Sequence, residues 1–272
     1  MIQKIYSNGK QISDQRTIDL LRDEAVGVFE TMRVYHGKIF LEEEHLQRLI
    51  ESARAVGYKP IPNSKKMREE LALTLQQTGD EAKDTSVRLT LWEGRIFVFI
   101  GARVIPSELY RTGAVLKTAS FPRGNANAFP YQSKASAYQQ AILASTEPSA
   151  SGVFDWVFVD MREGLTETRT GNFFIVKDRI LLTPPEHLIL NGVTRRFVIK
   201  CAHELKLKVR ETPLMRHDFF NADEAFLSNT SWEILPVREL DGRAIGIKIP
   251  GPVTTELHRL FKRRIRESCP SK

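Results

Sequence analysis

The sequence predicts an α+β protein of two domains, and three observations lead there. Hairpin signals recur, as where Glu93-Gly94-Arg95 separates the apolar runs 86–91 and 96–102. Helical and strand periods are mixed without the regular strand–helix alternation of a doubly wound sheet. Residues 121–130, rich in Asn, Pro and Gly, read as a linker, after which the mixed pattern restarts. The expected division is a small N-terminal α+β domain at 1–120, the linker at 121–130, and a larger domain at 131–272.

The elements follow in order. Residues 27–34 alternate Val28, Thr31 and Val34 with larger side chains and read as a strand, closed by the turn 35–38. Residues 41–56 carry Leu46, Leu49, Ile50 and Ala53 at helical spacing. Glu42, Glu43 and Glu44 occupy its first turn, where the helix dipole favours acids, and Gly57 follows its end. A second helix is expected at 64–77, then the 86–91/96–102 hairpin and a strand at 114–119. In the second half, 134–144 and 194–205 read as helices, and 156–160, 172–176, 180–182, 207–211, 224–227 and 234–240 as strands. A C-terminal helix begins at Val253.

Composition narrows the function. The chain has 272 residues, 42% hydrophobic and 27% charged, enough to bury a substantial core. No apolar run approaches the roughly 20 residues a membrane helix needs, and the first twenty residues lack the long apolar stretch of a secretory signal. The two cysteines, Cys201 and Cys269, form no metal-spaced cluster. A cytoplasmic protein without membrane partners is expected. The net charge of +7 is spread among acids, and only residues 262–266 form a compact basic run. That run reads as a solvated helix face rather than a nucleic-acid surface.

Hydrolytic and nucleotide motifs are absent: no Gly-x-Ser-x-Gly elbow, phosphate loop or His-Glu-x-x-His occurs. Glu42-Glu43-Glu44-His45 is set aside as a metal site because consecutive helical residues point to different faces. Asn191-Gly192-Val193-Thr194 is more informative. It brings a glycine and a potential cap directly before a helix, offering backbone N–H groups and a positive dipole end to an anion. A second polar turn, Ser228-Asn229-Thr230-Ser231, follows a strand. Thr230 and Glu233 have capping-box spacing, whereas Pro236 and the β-prone residues 234–237 favour a turn between strands. Lys134 opens a helix against the dipole preference. Glu167 falls between two expected strands. Each of these features alone is also compatible with a purely structural role.

Taken in order, the blocks resemble the class-IV (fold type IV) pyridoxal-phosphate aminotransferases from roughly residue 20 to 262. The resemblance rests on GVFETMRVY at 27–35, EHLQRL from Glu44, KASAY at 134–138 and GLTETRTGNFF from Gly164. LTPP from Leu182, LNGVTR at 190–195, ADEAF at 222–226 and NTSWEILPV at 229–237 continue it. It implies pyridoxal 5′-phosphate in the cleft between two mixed α/β domains and a homodimeric enzyme. The implied reaction moves an amino group between an amino acid, L-branched-chain or otherwise aliphatic, and a 2-oxo acid. 4-Amino-4-deoxychorismate lyase and D-amino-acid aminotransferase share the scaffold and are the alternative activities.

Carried over position by position, Lys134 is the Schiff-base lysine and Glu167 faces the pyridine nitrogen. Arg48, Val193, Thr194 and Thr230 hold the phosphate. Tyr138 stands near the phenolic oxygen, and Asn172 and Leu190 belong to the cofactor-binding set. Phe29, Arg88, Thr230 and Ser231 line the substrate pocket. This sequence departs from its relatives at Ala137, at Ala25-Val26-Gly27, at Glu93 and at Trp232. Glu93 replaces the arginine of D-amino-acid enzymes, and Trp232 is expected to narrow the substrate pocket.

Overall fold

The computed structural model describes residues 4–22, 27–79, 83–101, 105–120, 134, 152–160, 162 and 164–271. The expected linker, Tyr138 and all of the 134–144 helix except Lys134, which is itself helical, lie outside the described residues. The chain divides into two compact units, one of Met1–Val104, Ser133–Gln139 and Ile265–Lys272, the other of Ile105–Gln132 and Gln140–Arg264. Lys134 therefore belongs to the first unit, although the sequence grouped it with the second half.

The first unit is built on an antiparallel sheet. Its elements in chain order are β1 (Lys4–Ser7), β2 (Lys10–Gln11), α1 (Gln15–Arg22), β3 (Val28–Tyr35), β4 (Lys38–Ile39), α2 (Glu42–Ala55), α3 (Ser64–Thr78), β5 (Ser86–Trp92) and β6 (Arg95–Ile100). Strand order is β2-β1-β6-β5-β3-β4. The β5–β6 turn pairs Trp92 with Arg95, and its two central residues, Glu93 and Gly94, both take positive φ, as a tight hairpin requires. Alternation along β3 turns Val28, Met32 and Val34 toward α2, where Leu46, Leu49 and Ala53 complete one core cluster. Leu21 joins Ile5, Phe97 and Phe99 in a second cluster. Gly27 immediately precedes β3 with φ +77°, and a Cβ there would lie 2.4 Å from the Leu91 carbonyl oxygen. Only glycine fits this close approach.

The second unit contains a mixed sheet. Its elements are α4 (Leu109–Thr112), β7 (Ala114–Thr118), β8 (Asp155–Asp160), β9 (Gly164–Thr168), β10 (Asn172–Lys177), β11 (Ile180–Thr183), α5 (Val193–Glu204), β12 (Lys208–Glu211), α6 (Arg216–Phe220), β13 (Glu224–Asn229), β14 (Glu233–Leu240), β15 (Arg243–Ala244) and the closing helix α7 (Pro252–Ser268). Order runs β12-β11-β10-β13-β14-β7-β8-β9, with β15 beside β14. The strand at 114–118, grouped by sequence with the first domain, is parallel to both β14 and β8 within this sheet. Glu167 lies inside β9 rather than between strands. Residues 233–240 form β14, so the turn reading of the 228–231 segment holds over the helix cap.

Trp232 corrects an expectation. Its indole is wholly buried in the core of the second unit and meets Phe154 edge-on at 5.2 Å between centroids. Burial of so large an apolar surface outweighs any position nearer a polar pocket. Trp232→Ala should destabilise the protein by about 3–5 kcal/mol, seen as a lower urea midpoint. A midpoint equal to the parent's would mean that the indole does not pack in this core.

Candidate active site

In the first unit, helical spacing and strand alternation converge on Glu30. His45 and Arg48, three residues apart on α2, share a face, and that face meets the side of β3 that carries Glu30. The Glu30 carboxylate is fully buried. Its Oε1 accepts from Arg48 Nε at 2.7 Å, and its Oε2 accepts from Arg48 Nη2 at 2.8 Å. His45 Nδ1 lies 2.8 Å from the same Oε2. An ionised carboxylate only accepts, so Nδ1 carries the hydrogen of this bond. Lys134 Nζ stands 3.7 Å from Oε2, and its backbone N–H donates to Ser52 Oγ at 3.3 Å. The Lys134 ammonium is 5.0 Å above the Phe29 ring, and the Arg88 guanidinium lies 4.2 Å above the same ring.

These groups tune one another. Burial alone would raise the Glu30 pKa, but the Arg48 and Lys134 charges and the bonds from His45 and Arg48 hold it well below the usual carboxylate range. Burial lowers the Lys134 amine to about 8, with Arg48 and Arg88 pressing it further down and Glu30 opposing them. Burial also pulls His45 below its ordinary value, against Glu30. The result is a lysine that becomes a neutral nucleophile near physiological pH.

The second unit assembles a different set. Glu167, buried in β9, accepts at Oε2 from Asn172 Nδ2 and from the Leu190 backbone N–H, each at 3.0 Å. Asn172 Nδ2 also donates to the Leu190 carbonyl at 3.0 Å, which ties the 190–194 turn to β10. Gly192 precedes α5 with no side-chain cap, and a Cβ there would lie 2.2 Å from Asn172 Oδ1. A larger residue would displace the very amide that holds Glu167. Val193 and Thr194 are buried at the start of α5, and Thr194 Oγ1 is 3.4 Å from Thr230 Oγ1. The two polar turns singled out in the sequence therefore meet. Asn229 shapes the second of them, donating to the Thr170 carbonyl at 2.7 Å and accepting from the Ser231 backbone N–H.

Of the expected site residues, Lys134, Arg48, Arg88 and Phe29 come together in the first unit. Glu167, Asn172, Leu190, Val193, Thr194, Thr230 and Ser231 come together in the second. Glu30, His45 and Ser52 escaped sequence reasoning as members of the first group. The signal was present for Glu30, an acid on the apolar side of β3 between Val28 and Met32. Among the described residues no three His, Cys, Asp or Glu side chains group as a metal site. No described helix is long and apolar enough to cross a membrane.

The model of the class IV aminotransferases matches residues 27–240, and the chain belongs to that family. A Methanocaldococcus jannaschii relative is 33% identical over 276 residues, covering 95% of either chain. The branched-chain-amino-acid aminotransferase of Escherichia coli K12 is 31% identical over 263 residues, covering 86% of this chain and 82% of its own. The crystal structure of an Escherichia coli branched-chain amino acid aminotransferase superposes with a TM-score of 0.83 at 27% identity, covering 96% of this chain and 93% of that one. The branched-chain aminotransferase from Thermoproteus uzoniensis with norvaline gives 0.80 at 27% identity, covering 98% and 95%. The protein is an aminotransferase with the fold of these enzymes.

The lowered basicity of Lys134 is directly measurable. In cofactor-free protein its acetylation, followed by peptide mass spectrometry, should rise as the neutral amine appears, with a midpoint at about pH 8. Ordinary lysines should follow with midpoints near ~10.4. A Lys134 profile coincident with theirs would contradict the described environment.

Proposed function

We propose that this chain is a pyridoxal 5′-phosphate-dependent aminotransferase acting between L-aliphatic amino acids, branched-chain ones foremost, and a 2-oxo acid. The observation that carries this reading is Lys134, a largely buried amine with its pKa lowered to about 8 beside Glu30 and Arg48. Covalent attachment to an aldehyde needs such a neutral amine. The buried Glu167 supports a protonated pyridine nitrogen, and the uncapped start of α5 beside Thr230 supports a phosphate. These residues fit the cofactor's chemistry. When bound, pyridoxal phosphate supplies the electron sink that makes the substrate Cα–H acidic.

In this proposal Lys134 holds the cofactor covalently and, once released, moves a proton at the substrate Cα. Glu167, positioned by Asn172 and Leu190, keeps the ring nitrogen protonated. Arg48, the Val193 and Thr194 N–H groups and the Thr194 and Thr230 hydroxyls take the phosphate, where charge-assisted bonds are strongest. Tyr138 is assigned to the phenolic oxygen by family resemblance. Phe29 and Arg88, with Thr230 and Ser231, are assigned to the substrate. Arg88 supplies charge for a carboxylate, and the Phe29 ring supplies apolar surface. The names of the relatives support the branched-chain preference, and the norvaline in the Thermoproteus uzoniensis structure supports extending it to an unbranched aliphatic chain. We also propose that the enzyme is a cytoplasmic homodimer, in keeping with the resemblance and with two free, buried cysteines.

The test is a donor panel of L-leucine, L-valine, L-norvaline, D-alanine and D-glutamate with 2-oxoglutarate as acceptor. Formation of the 2-oxo acid should be seen with at least one L-aliphatic donor and be far slower with the D-donors. Reaction with D-donors alone would overturn the stereochemical assignment. Release of pyruvate from 4-amino-4-deoxychorismate without any L-donor turnover would assign the chain to the lyases.

A further inference from the structure

We propose that Glu30 is a positioning residue that couples the two anchors of the cofactor, the phosphate-binding arginine and the covalent lysine. The inference rests on the cofactor reading above and extends it to a residue with no contact to cofactor or substrate assigned there.

The geometry is specific. One edge of the Arg48 guanidinium is clamped by both Glu30 oxygens, through Nε at 2.7 Å and Nη2 at 2.8 Å. A bidentate pair of this kind fixes the plane of the guanidinium as well as its position. His45 Nδ1, at 2.8 Å from Oε2, fixes the carboxylate in turn. That same Oε2 is the oxygen that faces Lys134 Nζ at 3.7 Å. One atom thus shares its charge among an arginine, a histidine and the lysine. Among the described residues, the titratable groups that face Lys134 are Glu30 on β3, His45 and Arg48 on α2, and Arg88 on β5. Glu30 is the single anion in that set, and the two arginines outnumber it.

Two consequences separate this role from simple structural support. Removing the anion leaves the Arg48 and Arg88 charges unopposed among the described groups that face Lys134, so its neutral form should persist to lower pH. Removing the clamp takes away the two hydrogen bonds from Glu30 that orient the Arg48 guanidinium, so the phosphate contact should weaken. An amide cannot replace the acid, because its NH2 group would oppose the Arg48 or His45 donors. An aspartate keeps the charge but draws the oxygens back by one methylene.

The experiment is a double-mutant cycle on the full-length protein, with pyridoxal phosphate affinity measured by equilibrium dialysis and Lys134 basicity by the pH dependence of its acetylation before the cofactor is added. Wild type must first bind the cofactor in a form that borohydride fixes to Lys134; if it does not, the functional reading itself fails and not the role of Glu30. Given that, Glu30→Gln should weaken cofactor affinity about tenfold in the Arg48 background and leave it unchanged within about threefold in Arg48→Ala, because coupled residues are non-additive. Its pH midpoint should move to lower pH. Glu30→Asp should keep the wild-type midpoint while losing affinity only when Arg48 is present. If Glu30→Gln does not fold, the Glu30→Asp cycle decides alone. Additive losses in the cycle, or an unmoved midpoint in a folded Glu30→Gln protein, would overturn the proposal.

Discussion

An ionised carboxylate cannot sit alone in a protein interior, and Glu30 is such a carboxylate with no exposed surface. The first unit is arranged around meeting that demand. Arg48 and His45 reach it from α2 only because β3 and α2 pack through Val28, Met32, Val34, Leu46 and Leu49. The start of β3 in turn requires Gly27, whose neighbour Leu91 leaves no room for a Cβ. Burial that would otherwise cost stability also sets basicity, because the same dry surroundings that lower Lys134 also strengthen each contact to Glu30. Such a network specifies its geometry more than it adds net stability.

The second unit answers a different demand with neutral donors. Glu167 accepts from the Asn172 amide and the Leu190 N–H, and the backbone of the 190–194 turn is held to β10 by the same asparagine. Gly192 is required here by contact rather than by φ, since its missing Cβ is what admits the Asn172 oxygen. One side chain therefore sets both the orientation of the carboxylate and the position of the turn that leads into α5. A substitution at Asn172 disturbs two contacts at once, which makes it a poor probe of either.

Much of this architecture was legible because local chemistry and tertiary structure agree. The Glu93-Gly94 hairpin and the acid-led helix α2 appear where their turn and first-turn residues put them, and the helix after Gly192 forms with its expected cap, Thr194, inside its first turn and no side chain capping it. Other parts were hidden for physical reasons. The β1–β2 hairpin has strands of four and two residues, too short for a period to register. Helix α1 is eight residues long, a length at which tertiary packing rather than propensity decides helicity. Strand β9 carries Thr166, Glu167 and Thr168, polar residues that read as a loop until their partners are known. At the site, Arg48 and Lys134 were singled out through the family resemblance, but the acid that lies beside both of them was not. Glu30 is 18 residues from Arg48 in sequence, and no periodicity links a strand residue to a helix residue across that gap. Trp232 misled for the opposite reason, since its place in a polar turn gives no hint that its side chain fills a core.

The central claim is that one particular lysine carries the cofactor, and it can be tested directly. Purified protein incubated with pyridoxal phosphate, reduced with borohydride and digested should yield one phosphopyridoxyl peptide, modified at Lys134, with Lys134→Ala giving none. Stoichiometric modification at another lysine, or an equal yield from Lys134→Ala, would contradict the account.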